Sequence, residues 1–192
     1  MITAMGDVMR EAYKRGWITS RDGNISIRRS GYIYITPTAV RKYIIHPEHI
    51  VKLKAQWSSD TCEGPEDGSK PSIEFDMHFN IHLDRKKTGA VVHLHPTHTI
   101  AAMYAGLDLA SLVLEFPELG RYTKVGPMVD SFAPGSDELA KYTAENIRGY
   151  DIVGQKNHGV TAYGANPWDA FEHIERLEHI CEIVLKSGKS VE

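Results

Sequence analysis

Asn24-Ile25-Ser26-Ile27-Arg28 and Tyr32-Ile33-Tyr34-Ile35-Thr36, separated by Arg29 and the pair Ser30-Gly31, form the stretch on which the fold turns. Both runs are short and β-prone, and Ser-Gly is a turn dipeptide, so the segment predicts an antiparallel hairpin. Antiparallel pairing this early in the chain argues against a Rossmann-type sheet.

Upstream, Met5, Val8, Met9 and Tyr13 recur at helical spacing, predicting an amphipathic helix over 4–16 that stops at Gly16. Downstream, TPTAVRKY contains Pro37 and reads as a loop, and HIVKLKAQW (49–57) as a third strand. Residues 58–71, acidic and rich in Gly, Ser and Pro, read as an exposed connection. A helix is expected from Ser72 through Arg85, with Ser72 as N-cap and Glu74 and Asp76 in the first turn, where carboxylates favour the helix dipole. GAVVHLHP reads as an apolar strand ending at Pro96, followed by a helix through Ala105 and a strand near 125–129. A helix from Ser136 to Arg148, strands near 151–156 and 160–163, and a helix from Pro167 to about Lys186 complete the chain. Helices and strands interleave without strict alternation, so the expected fold is α/β, with helices covering a mainly antiparallel sheet. At 192 residues, one domain spanning 1–192 is expected.

A formal charge of −3 gives no electrostatic reason to expect nucleic acid or an anionic membrane as partner, which leaves small molecules and further copies of the chain. The opening MITAMGDVMREAYKRG is charged at Asp7, Arg10 and Glu11. It reads neither as a signal peptide nor as a membrane span, and a cytoplasmic location is expected. Cys62 and Cys181 are the two cysteines, too few and too far apart for a disulfide framework or a four-cysteine zinc site. Any metal must be held by histidine and carboxylate.

In the strand Ala90 to His95, period-two geometry sends His93 and His95 to one face and Val92 and Leu94 to the other. His158 lies in GQKNHGVTAYG, where Gly159 is expected to let the chain turn sharply between two strands. Three neutral imidazoles would supply the protein's side of a catalytic tetrahedral zinc and leave a position open. On spacing alone, His93 and His95 fit a metal site no better than they fit two ordinary members of a set of 10 histidines. His78 and His82 are a rival pair at i, i+4, but they lack the glutamate of HExxH and read as part of a helix packing Met77, Phe79 and Ile81. His46, His49, His173 and His179 read as surface groups. His98 is either a neighbour of the metal pair, a substrate-facing group or a further surface histidine.

GNIS at 23–26, YITPTAV at 34–40, KPSIEFDMH at 70–78, VVHLHPTH at 91–98 and QKNHGV at 155–160 occur in the order seen in the class II aldolase/adducin family. The chain resembles that family over nearly its whole length, and its pattern looks most like the fuculose-phosphate aldolase branch. The resemblance implies a three-layer α/β/α fold around an antiparallel sheet and a homotetramer with active sites at subunit interfaces. It also implies zinc, or another divalent transition metal, held by His93, His95 and His158. Glu74 falls at the position of the aldolase acid/base, where a metal polarises the ketone, an enediolate forms and the carboxylate moves the proton. Read without the resemblance, Glu74 is a helix-start charge.

In such aldolases the phosphate is held by the GNxS loop, the TPTG loop and paired serines before the glutamate. Asn24, Thr36, Thr38 and Ser72 match. Three positions depart: Ala39 stands where the TPTG glycine would be, Ile73 replaces the second serine, and Arg21 replaces a small residue three before Asn24. Arg21 could grip an anion bidentately where the cradle has lost a hydroxyl and a glycine. The sequence ends at Glu192, without the longer C-terminal tail with which some relatives cover a neighbouring active site. In epimerase and dehydratase relatives an acidic residue some two dozen positions after HxH takes part in catalysis. Glu118, with Glu115 nearby, falls in that region, where a surface role is equally open to it. The resemblance therefore implies a metal-dependent lyase that cleaves a small ketose 1-phosphate or similar anionic hydroxy-ketone. Dehydration or 4-epimerisation of a sugar phosphate, or a non-catalytic adducin-like module, are the alternatives.

Overall fold

The computed structural model describes residues 1–64, 67–84 and 89–188. Seven strands form one sheet in the order β4-β3-β2-β1-β5-β7-β6, antiparallel at each pairing. They are β1 (Asn24–Arg29), β2 (Tyr32–Ile35), β3 (Val51–Gln56), β4 (Thr61–Glu63), β5 (Ala90–Leu94), β6 (Ile152–Gln155) and β7 (Gly159–Gly164). The helices are α1 (Ile2–Lys14), α2 (Phe75–Asp84), α3 (Thr97–Tyr104), α4 (Leu109–Leu114), α5 (Pro117–Gly120), α6 (Asp137–Asn146) and α7 (Pro167–Ser187).

The predicted hairpin forms with Arg29 opposite Tyr32, leaving Ser30 and Gly31 as a two-residue loop. Both have positive φ, 49° and 80°, the type I′ requirement that matches the right-handed twist of the paired strands. Alternation then sorts the sheet into two faces. Ile25 and Ile27 of β1, Val92 and Leu94 of β5, and Val160 and Ala162 of β7 join Met5, Val8 and Met9 of α1 and Phe171, Ile174 and Leu177 of α7 in the largest apolar core. The opposite face carries α2 and α6, where Met77, Ile81, Leu139 and Ala144 pack with Val91 and Val153. Helices therefore cover both sides of the sheet, giving the three-layer α/β/α arrangement. No helix among the described residues is long and apolar enough to cross a membrane.

Several elements differ from the sequence reading. Tyr13 is exposed, and Ala12 takes the buried position instead. The 58–71 connection contains the short edge strand β4. Residues near 125–129 make two isolated parallel bridges, Val125 to Ile152 and Val129 to Gln155, rather than a strand. Helix α2 begins at Phe75, so Ser72 and Glu74 lie in the turn before it, and the expected end at Arg85 lies outside the described residues. The short helices α4 and α5 went unforeseen because 106–120 carries no sustained periodicity.

Candidate metal centre

Register brings the site together. Asn24 of β1 sits opposite His93 of β5, and His93 sits opposite Thr161 of β7, so three adjacent strands present their side chains in a row on the α2 face. His95 follows one pleat further on. The loop from β6 to β7 has three residues, Lys156, Asn157 and His158, closed by His158 N–H donating to the Gln155 carbonyl at 2.9 Å. The left-handed residue is Asn157, with φ 58°, a conformation its short polar side chain tolerates. Gly159 is required for a different reason than turning: a Cβ there would lie 2.6 Å from the His95 ring and 2.5 Å from the Leu94 carbonyl oxygen. The missing side chain is the space in which the imidazoles meet.

The rings of His93, His95 and His158 lie with centroids 4.8 to 5.0 Å apart. Nε2 of His93 and Nε2 of His95 are 2.9 Å apart. One nitrogen from each of the three rings falls within 4.8 Å of the others. Nitrogens bound to one zinc stand at most about 4.2 Å apart, so a small side-chain movement closes the triad on an ion. Burial holds His93 far below the usual imidazole range and brings His95 down to about 4, so both are neutral, the state a metal ligand needs. With its Nε2 turned into the cluster, His93 directs Nδ1 to the Thr161 hydroxyl at 3.1 Å, which orients the ring.

Glu74 is 6% exposed and points into the same cluster. Its Oε2 is 3.4 Å from His93 Nε2, and its Oε1 is 3.8 Å from His158 Nε2. Because burial keeps His93 neutral, the contact between them is not an ion pair. Asn24 Nδ2 donates to Oε2 at 2.7 Å, while Oε1 is buried with no hydrogen-bond partner among the described residues. Burial raises the carboxyl's pKa, opposed by the Asn24 hydrogen bond and the nearby His158. A buried carboxylate oxygen with no donor, beside three imidazoles, is the donor set a divalent cation completes.

Of the candidate anion-binding residues, Thr36, Thr38 and Ser72 are brought together. Thr38 N–H donates to the Lys70 carbonyl, and Ser72 N–H to that of Thr36, each at 3.1 Å, zipping the 36–38 loop to the turn before Glu74. Thr36 is fully buried and its hydroxyl accepts from the Ile25 N–H at 3.2 Å, a contact that closes β2 on β1. Thr38 is half-buried, Ser72 is buried, and Arg21 is exposed. Ala39 holds φ 56°, the left-handed geometry that favours glycine. Ile73 is 63% exposed beside Glu74. Lys42, which the sequence reading passed over, is buried beneath this loop with Nζ donating to the Pro37 carbonyl at 2.8 Å. Burial lowers its pKa to about 8. One lysine in a loop gives no periodic signal.

Glu118 is not brought to the histidines within this chain. It is exposed on α5, whose neighbours Phe116 and Leu119 pack on the α7 face of the sheet, opposite Glu74. His98 Nδ1 is 2.9 Å from Glu178 Oε1, and Glu178 also accepts from the His98 and Thr99 N–H groups, so this pair caps α3. His46, His49 and His179 are exposed as read. His173 is half-buried, with Nδ1 3.0 Å from the Thr123 hydroxyl, because it lies on the flank of α7. His78 and His82 are fully buried, but they make polar contacts as well as helix packing.

Residues 3–185 match the family described as Class II Aldolase and Adducin N-terminal domain. The chain belongs to that family. It is 32% identical over 182 residues to the L-fuculose phosphate aldolase of Methanococcus maripaludis, covering 95% of this chain and 94% of the relative. It is 28% identical over 181 residues to the 3-oxo-tetronate 4-phosphate decarboxylase of Escherichia coli K12, covering 92% of this chain and 82% of that one. A sugar-phosphate aldolase from Thermotoga maritima superposes with a TM-score of 0.80 at 26% identity, covering 99% and 97% of the two chains. The chain is thus a class II aldolase family enzyme, and its histidine triad could hold a metal ion.

Proposed function

We propose that this enzyme is a divalent-metal lyase, with zinc the ion that fits best, cleaving a small ketose 1-phosphate or similar anionic hydroxy-ketone by retro-aldol reaction. The observation that carries the reading is the Glu74 carboxylate, buried against three imidazoles with one oxygen held by Asn24 and the other unbonded. His93, His95 and His158 would hold the ion, which when bound supplies Lewis-acid polarisation of the substrate carbonyl. Glu74 moves the proton at the carbon that becomes nucleophilic as the carbon–carbon bond breaks, and burial raises its pKa, which makes its carboxyl a better proton holder than an exposed one. Thr38, Ser72 and the backbone around Asn24 hold the anionic end. The exposed Arg21 supplies the charge that a cradle with Ala39 and Ile73 lacks. A homotetramer with interfacial sites agrees with Glu118 being exposed on α5, on the sheet face away from its own chain's histidines, which leaves it to a neighbouring site.

The experiment pairs metal analysis of wild type and the His93→Ala/His95→Ala double variant with product analysis on a panel of ketose 1-phosphates. Near-stoichiometric zinc and two carbonyl fragments, both lost in the variant, are expected, and Glu74→Gln should keep zinc while losing cleavage. A second reading rests on the Escherichia coli relative and on the departures at Arg21, Ala39 and Ile73: the same site acting on a phosphorylated oxo-acid by decarboxylation. Carbon dioxide release in place of a second carbonyl product would decide for it. Dehydration or 4-epimerisation would leave the carbon skeleton intact.

A further inference from the structure

Beneath the site, the α2 face holds a line of polar side chains that the proposed chemistry does not use. His82 Nε2 is 2.9 Å from Ser26 Oγ, and Ser26 Oγ is 2.7 Å from His78 Nδ1. His78 Nε2 meets Asn24 Oδ1, and Asn24 Nδ2 reaches Glu74 Oε2 at 2.7 Å. Both histidines are fully buried, and His82 Nδ1 has no hydrogen-bond partner among the described residues. Burial keeps both rings neutral, with His78 brought to about 3, so each carries a single N–H.

We infer that this line, from His82 through Ser26 and His78 to Asn24, is a relay of one polarity that clamps Oε2 of Glu74 and leaves Oε1 as the working oxygen, with His78 as its positioning residue. The inference rests on Glu74 being the proton-moving group. The polarity follows from both ends. At the site, Asn24 Nδ2 donates to Glu74 Oε2, which turns the amide oxygen Oδ1 to His78. His78 then carries its hydrogen on Nε2 and accepts at Nδ1 from the Ser26 hydroxyl. Ser26, having spent its hydrogen, accepts from His82 Nε2–H, which leaves His82 Nδ1 as a bare lone pair. At the far end, the opposite polarity would put a hydrogen on His82 Nδ1, a buried donor with no acceptor. Buried N–H groups are orphaned more rarely than buried acceptors. Both ends select the same direction, with every donor aimed toward the carboxylate. Cooperative polarisation along such a line strengthens its last hydrogen bond, the one to Oε2.

Neutron diffraction from the deuterated full-length protein reads the relay directly. Deuterium on Nε2 of both His78 and His82, with the Ser26 deuterium toward His78, is expected; deuterium on Nδ1 of either ring overturns the polarity. Kinetics test the positioning role on whichever ketose 1-phosphate the wild type turns over fastest. His78→Leu should lower kcat about tenfold to hundredfold with KM and zinc content little changed, while His78→Gln, which keeps an amide donor for Asn24, should recover most of the rate. Equal loss in both variants, each folded and metal-replete, overturns the role of His78. Glu74→Gln at the wild-type rate would instead overturn the reading of Glu74 as the base, with the neutron map still deciding the relay.

Discussion

The two faces of the β1-β5-β7 sheet are built by alternate residues of the same strands, yet they hold opposite kinds of interior. One face sends Ile25, Ile27, Val92, Leu94, Val160 and Ala162 into the apolar core under α1 and α7. The other, one residue out of phase, presents Asn24, Ser26, His93 and Thr161, all buried. Of the buried polar side-chain atoms without partners among the described residues, Glu74 Oε1, His82 Nδ1 and Gln155 Oε1 belong to this second face, and His158 Nδ1 lies at its edge. One ladder thus divides two tasks: apolar burial stabilises the fold, and the polar face spends part of that stability to hold charge-bearing groups in fixed positions.

The largest effect expected from this division is on acid stability. His78, His82, His93 and His95 all sit below the ordinary imidazole value of 6.5 because burial penalises their charged forms. Below pH 6.5 the unfolded chain therefore binds protons that the folded chain refuses, so stability is present above that pH and falls as pH drops toward the depressed folded values. Each group contributes about 1.4 kcal/mol per pH unit within that window. Chelated protein should unfold cooperatively in mild acid, followed by circular dichroism; a metal-free fold that persists at pH 4 would erase the contrast between the faces.

Next in size, Leu94→Ala removes a fully buried side chain from the apolar face and should lower stability by about 2–5 kcal/mol in urea titration. Zinc stoichiometry should stay unchanged, since the flanking His93 and His95 point the other way. Gly159→Ala presses a methyl group against the His95 ring and the Leu94 carbonyl. It should lower stability by about 1–3 kcal/mol and also weaken metal binding, read by competition with a chromogenic chelator. A variant that binds zinc normally would show that the ring space is not set by this glycine. Smallest of all, Ala39→Gly relieves a left-handed alanine off both faces and should raise the melting temperature by an amount worth about 0.5 kcal/mol.

Much of this architecture was legible before the fold was known. The hairpin, the strand carrying His93 and His95 and the long C-terminal helix follow from local period and turn chemistry, which act over a few residues and leave a pattern. The histidine triad became specific only through the ordered family motifs, because spacing alone cannot join residue 158 to residues 93 and 95. Glu74 read locally as a helix-start charge, and His78 and His82 as helix packing. Nothing within ten residues of any of them tells that Asn24 and Ser26 lie against them. Ala39 and Lys42 were equally silent, since backbone strain and the burial of a lysine depend on what covers the loop.

The chain's own pattern determined which residues face which side of each strand, where the hairpin turns and that His93 and His95 share one face. Tertiary structure decided the rest: that Asn24, His93 and Thr161 stand in register across three strands, that Glu74 turns inward with one oxygen unbonded among the described residues, and that the helix carrying Glu118 packs on the other face of the sheet. The physical reason is range. Periodicity and capping are set by neighbours in sequence, whereas burial, register and hydrogen-bond polarity are set by neighbours in space that the sequence keeps some fifty residues apart or more.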